Sequence, residues 1–249
     1  MLAANTHKAE ANSLFTSGKF DAAINKYNEA LVVCPSYLDY ELAVLQSNLA
    51  ACHLKLEEWK EAATSATAAL DALDKLERES KEKEKADETE RKRDDEDVEE
   101  EIVSPGAARA GPAVPDTRAA DAEAARKKRT EDVARIRAKA LLRRGRARSE
   151  LGGWADLTGA LEDYNKLYEM RAILGAADLK TVQAQLRALP PRAKAAEEKQ
   201  MAEMLDKLKG LGNGLLKPFG LSTNNFKMVK DEKSGGYSMS FQGGGSGKD

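Results

Sequence analysis

Lys8, Asn12, Asn48, Lys139 and Arg143 are the residues of this chain whose types and spacing suit one kind of chemistry, the holding of carboxylates. Lys8/Asn12 and Lys139/Arg143 are four-residue pairs, so on a helix each pair shares one face. Lysine supplies a point charge, arginine a rigid fork of donors, and asparagine an amide that donates to one oxygen or braces the backbone. Three cations and two amides meeting in one groove would satisfy a terminal carboxylate and a neighbouring acidic side chain together. Taken singly, Lys8 or Lys139 reads better as a solvated position on a lysine-rich helix. Asn48 is harder to dismiss, because asparagine is a mediocre helix former in an interior position.

The elements that must gather these five residues show as a repeat of about 34 residues. A first unit carries Ala11, Gly18, Phe20, Ala23, Ile24, Tyr27, Ala30, Leu31 and Pro35. A second carries Asn48, Leu49, Ala50, Leu54, Trp59, Ala62, Ala66, Ala69 and Leu70, with Glu57 at the glycine position of the turn and Asp74 at that of the closing proline. A third begins near Ala138 and continues through Leu142, Gly145, Leu151, Gly152 and Trp154. Its second-helix residues, Ala160, Leu161, Tyr164, Leu167 and Tyr168, arrive three positions late, which predicts a lengthened turn over Asp156 to Thr158. This is the tetratricopeptide frame: small residues let paired helices approach and large ones fill the gaps between hairpins. Three units are about the minimum for a stable array, and its first helices line the concave side.

The fold class expected is all-α, a tetratricopeptide-repeat helical solenoid with a C-terminal capping helix and a short β-hairpin-like tail. Repeats 1 and 2 occupy residues 1–76, and repeat 3 occupies 131–175. Between them, 77–130 is a charged insert containing Pro, Gly and Ala, partly helical or disordered. Capping helices follow over 176–210, where Val182, Leu186, Leu189 and then Met201, Met204, Leu205 and Leu208 recur at helical spacing, with a break or kink expected at Pro190-Pro191. Residues 211–242 hold an apolar segment and then Phe226/Met228 and Tyr237/Met239/Phe241, alternating about Gly235-Gly236 as a hairpin does. Residues 243–249 form a flexible end.

Composition narrows the function. The 249 residues include 40 Lys+Arg against 42 Asp+Glu, a net charge of −2, which opposes bulk attraction to nucleic acid. Arg126 to Arg148 is locally basic and could enter the nucleus or touch RNA, but few aromatics accompany it for base stacking. With Cys34 and Cys52 the only cysteines and His7 and His53 the only histidines, neither a disulfide framework nor a closed zinc site is implied. No nucleophile–base set stands out, so no enzyme and no cofactor is expected. Met1 to Phe15 lacks a signal pattern and no apolar run reaches spanning length, so the expectation is a cytoplasmic protein with nuclear entry open and no membrane insertion.

Residues 4–76 and 138–171 resemble the carboxylate-clamp tetratricopeptide domains of heat-shock co-chaperones, all five clamp positions matching in type and repeat position. Residues 211–226 (Leu-Gly-Asn-Gly-Leu-Leu-Lys-Pro-Phe-Gly-Leu-Ser-Thr-Asn-Asn-Phe) with 236–241 (Gly-Tyr-Ser-Met-Ser-Phe) are similar to the tetratricopeptide repeat protein 1 family. The resemblance implies a co-chaperone or adaptor that binds the Glu-Glu-Val-Asp tails of the 70- and 90-kDa heat-shock chaperones. It also implies a second partner surface around Leu216, Phe219 and Phe226 for small or heterotrimeric G proteins. The chain departs from the family in its 77–130 insert and in the three extra residues of unit three, and both bear on the placing of Lys139 and Arg143.

Overall fold

The computed structural model describes residues 2–97, 117–217, 226–230 and 237–241. It divides into two units, Met1–Arg192 and Ala193–Asp249.

In the first unit, helices pack in consecutive pairs: α1 (Leu2–Thr16) on α2 (Phe20–Val33), α3 (Asp39–Lys55) on α4 (Trp59–Asp97), and α5 (Thr117–Leu151) on α6 (Trp154–Glu169). Successive hairpins touch through α2 on α3, α4 on α5 and α3 on α5, the pattern of a tetratricopeptide-like solenoid. Alanine makes the close approaches: Ala11, Ala23, Ala30, Ala43, Ala50, Ala62, Ala66 and Ala69 are wholly buried. Around the alanines of the first hairpin, Tyr27, Leu45, Leu49 and Cys52 fill the space, and between hairpins two and three Leu73 meets Val133. Gly145 serves the same purpose on α5, since a Cβ there would press on the Tyr164 ring at 3.2 Å.

The three turns between paired helices share one device. Gly18 (φ +75°), Glu57 (φ +60°) and Gly152 (φ +73°) each stand two residues before the aromatic that opens the second helix, Phe20, Trp59 or Trp154. The left-handed residue lets the next amide reach back five residues, Lys19 to the Leu14 carbonyl (3.0 Å) and Glu58 to the His53 carbonyl (2.9 Å), satisfying oxygens the helix end leaves over. Phe15 and Phe20 meet edge to face across the first turn at 5.4 Å.

Unit three corrects one expectation. Asp156 to Thr158 are not in a lengthened turn: α5 ends at Leu151 and α6 already begins at Trp154. Three residues are nearly one helical turn, so the insertion is absorbed by starting α6 a turn early, with Leu157 buried and Ala160, Tyr164 and Leu167 kept on the packed face.

After a 3-10 turn, Arg171–Ile173, helix α7 (Ala176–Leu216) begins. Its first part belongs to the solenoid unit: Val182 and Leu189 are fully buried, and Arg192 donates to the Ser149 carbonyl at 2.7 Å. Of the break or kink expected at Pro190-Pro191, a break is not there: the helix runs through both prolines, and the division between units follows Arg192. Met201, Met204, Leu205 and Leu208, expected in a capping helix over the last repeat, lie in the second unit and are 47–64% exposed.

The second unit also contains β1 (Phe226–Lys230) and β2 (Tyr237–Phe241), antiparallel, with Phe226 opposite Phe241 and Met228 opposite Met239. The expected turn at Gly235-Gly236, the flexible end at 243–249 and the middle of the 77–130 insert lie outside the described residues.

Candidate functional site

Asn12, Asn48 and Arg143 come from α1, α3 and α5, the first helices of the three hairpins, and meet around Tyr27 of α2. The Tyr27 hydroxyl donates to Asn12 Oδ1 at 2.6 Å. Asn48 and Arg143 are both near enough to act on the charge state of the same phenol. Arg143 Nη1 donates to both the carbonyl and the Oγ of Ser47, tying α5 to α3. Burial pulls the Arg143 guanidinium below its ordinary value, while nearby Tyr27 and Cys52 oppose that shift. Burial also pushes the Tyr27 phenol up to about 12 and the Cys52 thiol up to about 11, so both stay protonated at neutral pH.

Lys8 and Lys139 are placed differently. Each stands one helical turn before its partner, Asn12 or Arg143, on the same helix face. Lys8 is half-buried, with its charge felt at Cys34 of the α2 end, and Lys139 is exposed. Among the described residues neither ammonium has an ion-pair partner. Three of the five predicted residues therefore gather near Tyr27, and the other two flank them as cations without an ion-pair partner among the described residues.

Beside Arg143 lies a hollow of about 350 Å³ lined by Phe15, Ala51, Leu54, Trp59 and Leu142 together with the charged Lys55, Glu57, Arg143 and Arg146. Apolar walls with guanidinium groups alongside suit an apolar side chain next to an anion. Neither Tyr27 nor Ser47 was a predicted site residue. The signal for Tyr27 was a tyrosine at a buried repeat position, where a hydroxyl must find a partner. For Ser47 it was a hydroxyl in the middle of a helix.

Three arginines of the basic run 126–148 are paired with acids within the chain. Arg137 pairs with Asp74 and Glu77, and Arg144 and Arg148 both hold Asp163, which is 1% exposed. Of the second predicted surface, Leu216 closes α7, Phe226 opens β1 and Phe219 lies outside the described residues. No group of three or more His, Cys, Asp or Glu among the described residues is arranged to hold a metal, and no described helix is long and apolar enough to cross a membrane.

No protein-family model matches the chain. Over 60 residues it is 37% identical to the mitochondrial import receptor subunit TOM70 of Homo sapiens and of Mus musculus, and a similar match is found in Rattus norvegicus. The matched stretch is 24% of this chain, which spans only about 10% of the length of those relatives. The fold itself is one of paired helices packed as a tetratricopeptide-like solenoid.

Proposed function

We propose that this chain is a non-catalytic, cytoplasmic adaptor whose solenoid groove binds acidic peptide C-termini, specifically the Glu-Glu-Val-Asp tails of heat-shock chaperones of the 70- and 90-kDa classes. The observation that carries this reading is the meeting of Asn12, Asn48 and Arg143 around one phenol, flanked on the same helix faces by Lys8 and Lys139. In this reading the terminal carboxylate takes hydrogen bonds from the Asn12 and Asn48 amides and charge from Lys8, Lys139 and Arg143. The preceding apolar side chain enters the hollow formed by Phe15, Leu54, Trp59 and Leu142. Hydrogen bonds to a charged group contribute about 1.5–3 kcal/mol each, and a micromolar complex needs about 8 kcal/mol in total. A few such contacts with one filled pocket therefore suffice after the entropy of association is subtracted.

Calorimetry with synthetic tail peptides of both chaperone classes, beside the same peptides amidated at the C-terminus, tests the reading. Micromolar binding of the free acids with at least tenfold weaker binding of the amides is expected. Equal affinity for acid and amide would overturn it.

A second reading rests on a different observation. Met201, Met204, Leu205, Leu208 and Leu211 form an apolar stripe on one face of α7, each 47–70% exposed. A contiguous exposed stripe of this kind marks a contact surface. Together with Leu216, Phe219 and Phe226 it would serve a G-protein or Ras-type partner. Lys8→Ala should weaken tail binding alone, and Phe219→Ala the second partner alone; a common loss would argue against two surfaces.

A further inference from the structure

Asn12 can serve an anion only with its nitrogen turned to the groove, and the amide by itself has no reason to choose that orientation. We propose that Tyr27 is the positioning residue that makes this choice, holding the Asn12 carbonyl inward so that the groove presents a donor and selects carboxylate over carboxamide. The inference rests on the peptide-tail reading above and names what gives that site its selectivity.

The geometry is as follows. Tyr27 is 2% exposed on α2, which packs against α1 and α3, the helices that carry the amides. A phenol has one proton to give. The nearby Arg143 charge favours negative density on its oxygen. That proton is donated to Asn12 Oδ1 over 2.6 Å. Burial keeps that proton in place well beyond neutral pH. Asn12 is itself on an exposed stretch of α1, so its two N–H groups are left for a ligand.

A flipped amide would face an incoming carboxylate with oxygen against oxygen. A carboxamide, which carries both a donor and an acceptor, would tolerate either orientation. Tyr27 therefore acts on the acid-to-amide ratio more than on binding as such.

The test is a cycle of Tyr27→Phe, Asn12→Ala and the double variant, titrated with a peptide ending in Glu-Glu-Val-Asp and with its C-terminally amidated twin. Tyr27→Phe should weaken the free acid about three- to tenfold and leave the amide within about twofold, compressing the ratio. On the Asn12→Ala background the same substitution should change acid affinity by less than about twofold, because the amide it orients is gone. A purely structural tyrosine would weaken both peptides alike and would act equally on either background; that result overturns the proposal. Loss of folding in Tyr27→Phe is controlled by a thermal melt, and the comparison on the Asn12→Ala background cancels any shared packing defect. If the unaltered chain does not prefer acid over amide, the peptide-tail reading fails and this inference falls with it. If it does prefer acid and Tyr27→Phe keeps the full ratio, only the role of Tyr27 is refuted.

Discussion

Arg144 grips Asp163 with two nitrogens, Nε at 3.0 Å from Oδ2 and Nη2 at 2.6 Å from Oδ1, inside the third hairpin. Arg148 adds Nη1 at 3.1 Å, and Arg144 reaches on to Thr67 of α4, so one buried carboxylate joins three helices. The pair is intramolecular and nearly dry. Two guanidinium groups of the basic run are thus committed to the fold, and that commitment is a physical reason to rank nucleic-acid binding below tail binding. Asp163→Asn should cost about 3–5 kcal/mol of stability, the range for removing one partner of a buried ion pair. Urea unfolding followed by circular dichroism measures it, and a cost under about 1 kcal/mol would show that the cluster is wetter than its burial indicates.

The turn residues predict changes of opposite sign. Glu57 holds a left-handed backbone that disfavours any L side chain, at about 1 kcal/mol. Glu57→Gly should therefore raise stability by about 0.5–1 kcal/mol. Gly18→Ala should lower it by about the same amount, although no atom lies within 4 Å of the added Cβ, so the whole effect is backbone strain. Matched urea midpoints for the two variants check the pair; a destabilised Glu57→Gly would point to a side-chain contact of Glu57 instead.

These turns also show where the sequence was legible. Gly18, Phe20, Ala23, Tyr27 and Ala30 repeat in kind, and small-then-large packing at a fixed period has few other physical readings, so the hairpins were visible. The third turn was misread because three added residues fit equally well in a loop or in almost one turn of helix. Only the burial of Leu157 separates the two. Lys8/Asn12 and Lys139/Arg143 can be picked out from sequence because each pair is local. Tyr27 and Asp163 were passed over as functional or structural hubs because their partners lie on other helices. The exposure of Met201 to Leu208 was hidden for a similar reason: periodicity reveals an apolar face but not what covers it.

Alkaline pH should unfold the first hairpin pair through Cys52 and Tyr27. Burial raises the thiol from 9.0 to about 11 and the phenol from 10.0 to about 12. In each case the unfolded chain releases its proton first, so between those values the folded state holds more protons and stability falls as pH rises. Stability should be level up to about pH 9 and then decline through about pH 12, by on the order of 1–3 kcal/mol per group. Unfolding midpoints under reducing conditions, compared with Cys52→Ala and Tyr27→Phe, are the measurement. Each substitution should flatten the decline in its own window; an unchanged slope would mean that the groups titrate alike in both states.

Lys139 and Arg143 sit one turn apart on α5, yet they should fail differently when removed. Arg143 is half-buried and donates twice to Ser47, so Arg143→Ala removes the hydrogen-bonded tie between α5 and α3. Its loss should destabilise the chain by about 1–3 kcal/mol and weaken a Glu-Glu-Val-Asp peptide at least tenfold. Lys139 is exposed and has no ion-pair partner among the described residues, so Lys139→Ala should leave stability within about 0.5 kcal/mol. It should still weaken the peptide about tenfold and flatten the salt dependence of binding, because the lost contribution is an unshielded charge. Melting curves and titrations at two ionic strengths separate the variants. Should Lys139→Ala bind the peptide as tightly as the unaltered chain, that ammonium belongs to solvent and the groove works with Lys8 and Arg143 as its cations.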